Sequence, residues 1–333
     1  MSGQAFRALT ALGILISTAA CDNVEWGGVQ LRLMPPPESA ESAADSTEAE
    51  DEGGFSLPVQ PVLYLATRDS TGLALVPVGE ITRDSIRPFP DEDEAPGYRA
   101  AFARERMSAG SRFTLFSAGA RVGTFTVAAV GTDDSFCSAR PRATGHVELV
   151  PAAAAATRFL ALPENVTAER GYDPYQPTET DRAQRAAGID LAAALIPQIG
   201  ATWPTSMIDS RADIMAFPLA TGGAGVTTTF VFRDQAFVQP ATPTSYSLFL
   251  LATGTGEQYS NAYAWYREAG REGKGVPIYF QHLDWDGDGE TEVLLDVRGE
   301  RSRWNAAIEN AGGEWRRTFE DPCGAAAPPI AGG

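Results

Sequence analysis

Between positions 284 and 292 the chain reads Asp284-Trp285-Asp286-Gly287-Asp288-Gly289-Glu290-Thr291-Glu292. Acids at alternate places along a tightly turned loop can aim their oxygens at one centre, and Gly287 and Gly289 let the backbone curl. Five acids in nine residues repel one another unless a cation lies among them. Calcium suits such a set, since it takes about six to eight hard oxygens, whereas magnesium keeps several of its waters. The expected ligands are the carboxylates of Asp284, Asp286, Asp288 and Glu292, with the backbone carbonyl of Glu290. An ion held there is expected to stiffen structure rather than to catalyse. An acidic hairpin built on Asp-Gly turn chemistry, without an ion, would show the same residues.

The segment is similar to two calcium-loop families. The EF-hand matches at Asp284, Asp286, Asp288 and Gly289, but Leu295 stands at the twelfth place, which in that family holds a bidentate acid, and the flanks read as strands. It also resembles the FG-GAP loop of integrin-like propeller blades, which places acids first, third, fifth and ninth between two strands. Asp284, Asp286, Asp288 and Glu292 fill those places, with Glu in the last where Asp is more usual. That resemblance implies a blade-like unit of Ile278 to Leu283, Glu292 to Val297 and an Arg303 to Glu320 hairpin turning at Asn310 to Gly313. No fixed-period repeat accompanies it, so a whole propeller is not expected.

The first residues carry a second signal. Arg7 precedes an apolar stretch from Ala8 to Ile16, followed by Ser17-Thr18-Ala19-Ala20 and Cys21. The stretch is too short to cross a hydrocarbon core of about 30 Å as a helix. It resembles the bacterial lipoprotein signal, with Thr18 where an aliphatic residue is usual. The resemblance implies a lipid on Cys21, attachment to a membrane through it, and a mature protein in the cell envelope facing the periplasm or the cell exterior. An oxidising compartment would let the other two cysteines, Cys137 and Cys323, form a disulfide; two separate thiols are the alternative.

Several chemistries are disfavoured. The formal net charge is −17, which argues against nucleic acid as a partner. His146 and His282 are the only histidines and no Cys-x-x-Cys occurs, so a zinc site is hard to assemble. There is no Gly-x-Ser-x-Gly elbow, His-Glu-x-x-His or Walker loop. His282, two residues before Asp284, is expected to pack or face solvent rather than serve as an acid or base. Tyr259, Tyr263, Trp265 and Tyr266 read as core or interface, with a ligand-stacking surface as the sharper alternative. Trp285 is expected to be exposed or folded over a neighbour.

The elements that must position the loop read as mainly β with some α. Residues 1–20 form the signal, 21–54 a lipid-anchored acidic tether, 55–163 a sandwich or barrel-like β domain, 164–323 an α+β domain with the calcium loop, and 324–333 a tail expected to be disordered. One helix is expected over Thr180 to Ile196, capped by Thr178 or Thr180 and stopped by Pro197. The leading expectation for function is an exported binding or assembly module presenting a protein or glycan surface. The alternatives are a secreted hydrolase of glycan or peptide using paired acids, and an accessory subunit of a membrane complex.

Overall fold

The computed structural model describes residues 56–324 apart from Asp84, Glu169 and Thr221. The leader, Cys21, the acidic tether and the tail therefore lie outside the described residues. In chain order the elements are β1 (Val62–Asp69), β2 (Gly72–Ile81), β3 (Ile86–Pro88), α1 (Tyr98–Arg106), β4 (Arg112–Ser117), β5 (Ala120–Asp133), β6 (Arg140–Leu149), β7 (Arg158–Pro163), α2 (Glu164–Thr167), α3 (Arg182–Gln198) and α4 (Met207–Ser210). Then come β8 (Arg211–Pro218), β9 (Ala224–Phe232), β10 (Tyr246–Thr255), β11 (Gln258–Glu268), α5 (Ala269–Glu272), β12 (Val276–Leu283), β13 (Glu292–Arg298), β14 (Arg303–Ala311) and β15 (Glu314–Glu320).

The first seven strands make one antiparallel sheet in the order β1-β7-β4-β5-β6-β2-β3, and the pairing of β1 with β2 closes six of them into a barrel. Closure removes the open edges that an alternating sheet of this size would otherwise expose. The inward residues Tyr64, Leu75, Phe113, Leu115, Phe125 and Phe159 fill its interior. Phe102 and Tyr98 of α1, with Phe89, pack into the same cluster. Sequence reading missed α1, whose Arg-rich run hides the apolar spacing of Tyr98, Ala101 and Phe102.

The remaining strands form two four-stranded antiparallel sheets, β11-β10-β9-β8 and the meander β12-β13-β14-β15. The meander is sandwiched. On one face Phe280, Leu283, Leu294, Ala307 and Phe319 meet Leu63, Leu65, Val76, Val78, Phe116 and Leu160 from the outside of the barrel. On the other, Tyr279, Val293, Leu295, Val297, Trp304 and Ile308 meet Phe217, Phe249, Leu251 and Trp265. Successive side chains of a strand point to opposite faces, so a sheet covered on both sides needs apolar residues at every place. The run Val293-Leu294-Leu295 satisfies that need. The outer sheet is covered in turn by α3, whose Ala192 and Ile196 pack on Phe230, Leu248 and Leu250.

The expected hairpin of the blade-like unit is present. Ala311 pairs with Glu314, and Gly312 and Gly313 between them take φ of 64° and 94°, the left-handed pair that a two-residue hairpin turn requires. The helix begins later than expected. Asp181, not Thr178 or Thr180, is the N-cap, because Gln184 three residues on completes a reciprocal capping box with it (2.8 Å each way). It also runs through Pro197 to end at Gln198.

The barrel and the meander are tied by more than apolar contact. Cys137 and Cys323 are joined by a disulfide across 186 positions of sequence. Beside it Arg140, at the start of β6, is buried and bonds Asp321 (2.5 Å) and the carbonyl of Pro77 (2.9 Å). The same Asp321 oxygen accepts from the Asn305 backbone N–H at 2.7 Å. A buried cation left without its partner is far more costly than the intact pair is stabilising. Asp321→Ala is therefore expected to lower unfolding stability by about 3–5 kcal/mol in urea titration with the disulfide intact. Non-reducing peptide mapping should recover Cys137 linked to Cys323; free thiols at both would contradict the covalent tie.

Candidate metal centre

The acidic loop is the connection between β12 and β13, the first two strands of the meander. Its ends are fixed where Leu283 pairs with Glu292. The eight residues between them close into a compact curl through their own acids. Asp284 accepts from the N–H groups of Gly287 (2.6 Å) and Gly289 (3.1 Å), Asp286 from Asp288 (3.0 Å), and Asp288 from Glu290 (2.8 Å). Such Asx contacts bend the chain back on itself. As a result Asp284, Asp286, Asp288 and Glu292 each bring a carboxylate oxygen within 4.8 Å of the others. Two like charges at that spacing repel by on the order of 3 kcal/mol at an effective dielectric of about 20.

Glu292 differs from the other three. It opens β13 on the face shared with Leu294, and is only 2% exposed. Its Oε2 accepts from the Trp285 backbone N–H at 2.8 Å. Burial pushes its carboxyl up to about 9; the Trp285 N–H opposes that shift, and Asp286, Asp284 and Asp288 reinforce it. Asp286 is raised as well, first by burial and then by Asp288 and Asp284. Carboxyls in this condition either hold protons or share a cation. The donor set, four hard carboxylate oxygens in a curled loop, fits a divalent cation.

Two neighbours support the curl. Arg170, from the segment after α2, donates to the carbonyls of Trp285 (3.1 Å) and Asp286 (3.0 Å). These carbonyls are thereby taken by the guanidinium, and its positive charge offsets part of the loop's acidity. Trp285 is 3% exposed and packs in the apolar layer with Phe280 and Leu283. It is a core residue under the loop, so it is not available as an exposed contact. Glu290 stands apart from the four: its side chain accepts from Asn310 Nδ2 on β14 at 3.1 Å. Only its backbone carbonyl remains as the ligand expected from the sequence.

His282 packs, as expected. Its Nδ1 lies 2.6 Å from the Tyr279 hydroxyl, its ring stacks on Phe217 at 4.8 Å, and burial lowers its pKa to about 3. Burial thus disfavours the charged form of this imidazole. Of the aromatic cluster Trp265 is buried, and Tyr259, Tyr263 and Tyr266 are half-buried. Trp265 and Tyr263 face the meander, Tyr266 packs against Tyr246 beneath α3, and Tyr259 joins the small cluster around Ala252. Arg170 and Asn310 could not be found in the sequence, because neither lies near the motif and no spacing links them to it.

No family model matches the chain, and no curated protein and no solved structure matches it. The site therefore stands on its own geometry.

Gly287 shows how tightly the loop is held. Its φ is 89°, and a Cβ there would lie 3.1 Å from Arg170 Cζ. Gly287→Ala is expected to cost about 1–3 kcal/mol of stability, read by thermal or chemical denaturation, because a side chain is strained in that backbone region. Wild-type stability in this variant would mean that the curl is not held as described.

Proposed function

We propose that this protein is an exported, lipid-anchored envelope component that works by binding or assembly, with calcium stiffening the sheet that carries its working surface. The observation that carries this reading is the convergence of four carboxylates, one of them buried, in a loop between two strands of a sheet covered on both faces. Calcium is favoured over magnesium because the donors come from the protein itself, close-packed and anionic, and calcium tolerates such irregular oxygen shells. The FG-GAP resemblance supports the same choice. The strand–loop–strand setting in a four-stranded meander is the one that family uses, and it disfavours the helix-flanked EF-hand. The disulfide between Cys137 and Cys323 fits an oxidising compartment, which supports export. Cys21 is proposed as the lipid-bearing residue on its sequence context alone.

An ion in the loop would hold β12 and β13 in register at their open end, and so fix the meander between barrel and outer sheet. It acts on shape, and no reacting atom is assigned to it. At calcium about 100-fold above its dissociation constant, mass action adds about 2.7 kcal/mol. For a unit of this size that is a rise of about 5 °C in melting temperature. Differential scanning calorimetry should show that rise on adding calcium to chelated protein and its loss in Asp286→Ala. Equal melting with calcium and with chelator would remove the metal from the proposal. Export is tested separately: intact-mass analysis of protein extracted from native membranes should find the chain beginning at an acylated Cys21, and an unmodified Met1 terminus would contradict it.

A further inference from the structure

A cleft with a volume of about 720 Å³ opens beside the acidic loop, between the tips of the β10–β11 and β14–β15 hairpins. It is far larger than the gaps of a packed core and lies where two sheets meet, a usual setting for a small-ligand site. Its wall contains Glu290 and Thr291, the residues that lead from Asp288 to Glu292. The opposite side carries Gln258, Ser260 and Asn261, all exposed. No lysine or arginine lines it among the described residues.

We propose that this cleft binds a neutral oligosaccharide. The inference rests on the calcium reading above for the rigidity of one wall and for the weakened acidic field along it. Amides and hydroxyls both donate and accept hydrogen bonds, as sugar hydroxyls do, and they outnumber the two carboxylates, Glu290 and Glu314. The lack of any basic residue disfavours phosphates and acidic sugars. A basic peptide is the weaker fit, because a cation in the loop would weaken the acidic field along this wall. Glu290 is already oriented: Asn310 Nδ2 holds its side chain at 3.1 Å, and its N–H is held by Asp288 at 2.8 Å. A carboxylate fixed before the ligand arrives gains affinity by sparing ordering cost. The ion therefore supports sugar binding through the backbone from Asp288 to Glu292, without touching the sugar.

The test is isothermal titration of the disulfide-bonded protein in calcium with maltohexaose, cellohexaose and hexa-N-acetylchitohexaose, all uncharged, each to about 5 mM so that dissociation constants from millimolar downward can be read. At least one should bind, and the double variant Gln258→Ala/Asn261→Ala should weaken it about tenfold or more while keeping the wild-type calcium shift in melting temperature. Both residues are exposed, so the variant does not threaten the core. That shift, recorded on the same samples, reports the metal reading independently of the sugar. Failure of all three sugars, binding unchanged in the double variant, or heat only with oligolysine would each overturn the cleft assignment while leaving the calcium reading to stand on its own result.

Discussion

Burying a carboxylate at the mouth of a sheet that is apolar on both faces is the constraint from which the rest of the structure follows. Glu292 begins a strand whose next residues must be covered by the barrel on one side and by the outer sheet on the other. It cannot turn to water without pulling Leu294 from its layer, because the strand's side-chain parity is fixed. The charge must then be answered where it lies, and the loop before it gathers three more acids around the same point. A cation is the simplest answer to that arrangement; protonation is the other.

The supporting contacts make sense in that light. Arg170 reaches over from a distant part of the chain to take two loop carbonyls, and Trp285 drives the underside of the loop into the apolar layer. The opposite end of the assembly is secured differently, by the Cys137–Cys323 link and the enclosed Arg140–Asp321 pair. The meander is thus pinned to the barrel at its C-terminal margin by covalent and ionic ties, and its loop end is held by the acids and their neighbours. Between those two fixtures the apolar layers supply the bulk of the cohesion, roughly in proportion to the area they hide from water.

Much of this was legible in the sequence, and what was not has physical reasons. The acidic loop, its flanking strands and the Asn310 to Gly313 turn were readable because turn chemistry and alternate acids are local signals. The disulfide partners followed by counting cysteines. A barrel was one of two expected forms for residues 55–163; the choice depends on β1 pairing with β2 to close the ring, and that is a long-range outcome. β7 is only six residues long, β8 carries Arg211 and Asp213 ahead of its apolar residues, and in β11 polar outer residues break the apolar run, so no clear alternation marks these three in the sequence. The inward turn of Trp285, the burial of Glu292 and the Arg170 clamp depend on the barrel lying against the meander. No residue pattern in one strand records what covers it.

The most direct test of the proposed calcium site is calorimetric titration of calcium into chelated, disulfide-bonded protein. One bound ion per chain is expected, with protons released on binding near neutral pH, since burial raises the Glu292 carboxyl in the ion's absence. Saturable one-to-one binding that disappears in Glu292→Ala would bear out the shared-cation account. Absence of binding heat under several buffers, or binding that persists in that variant with unchanged affinity, would contradict it.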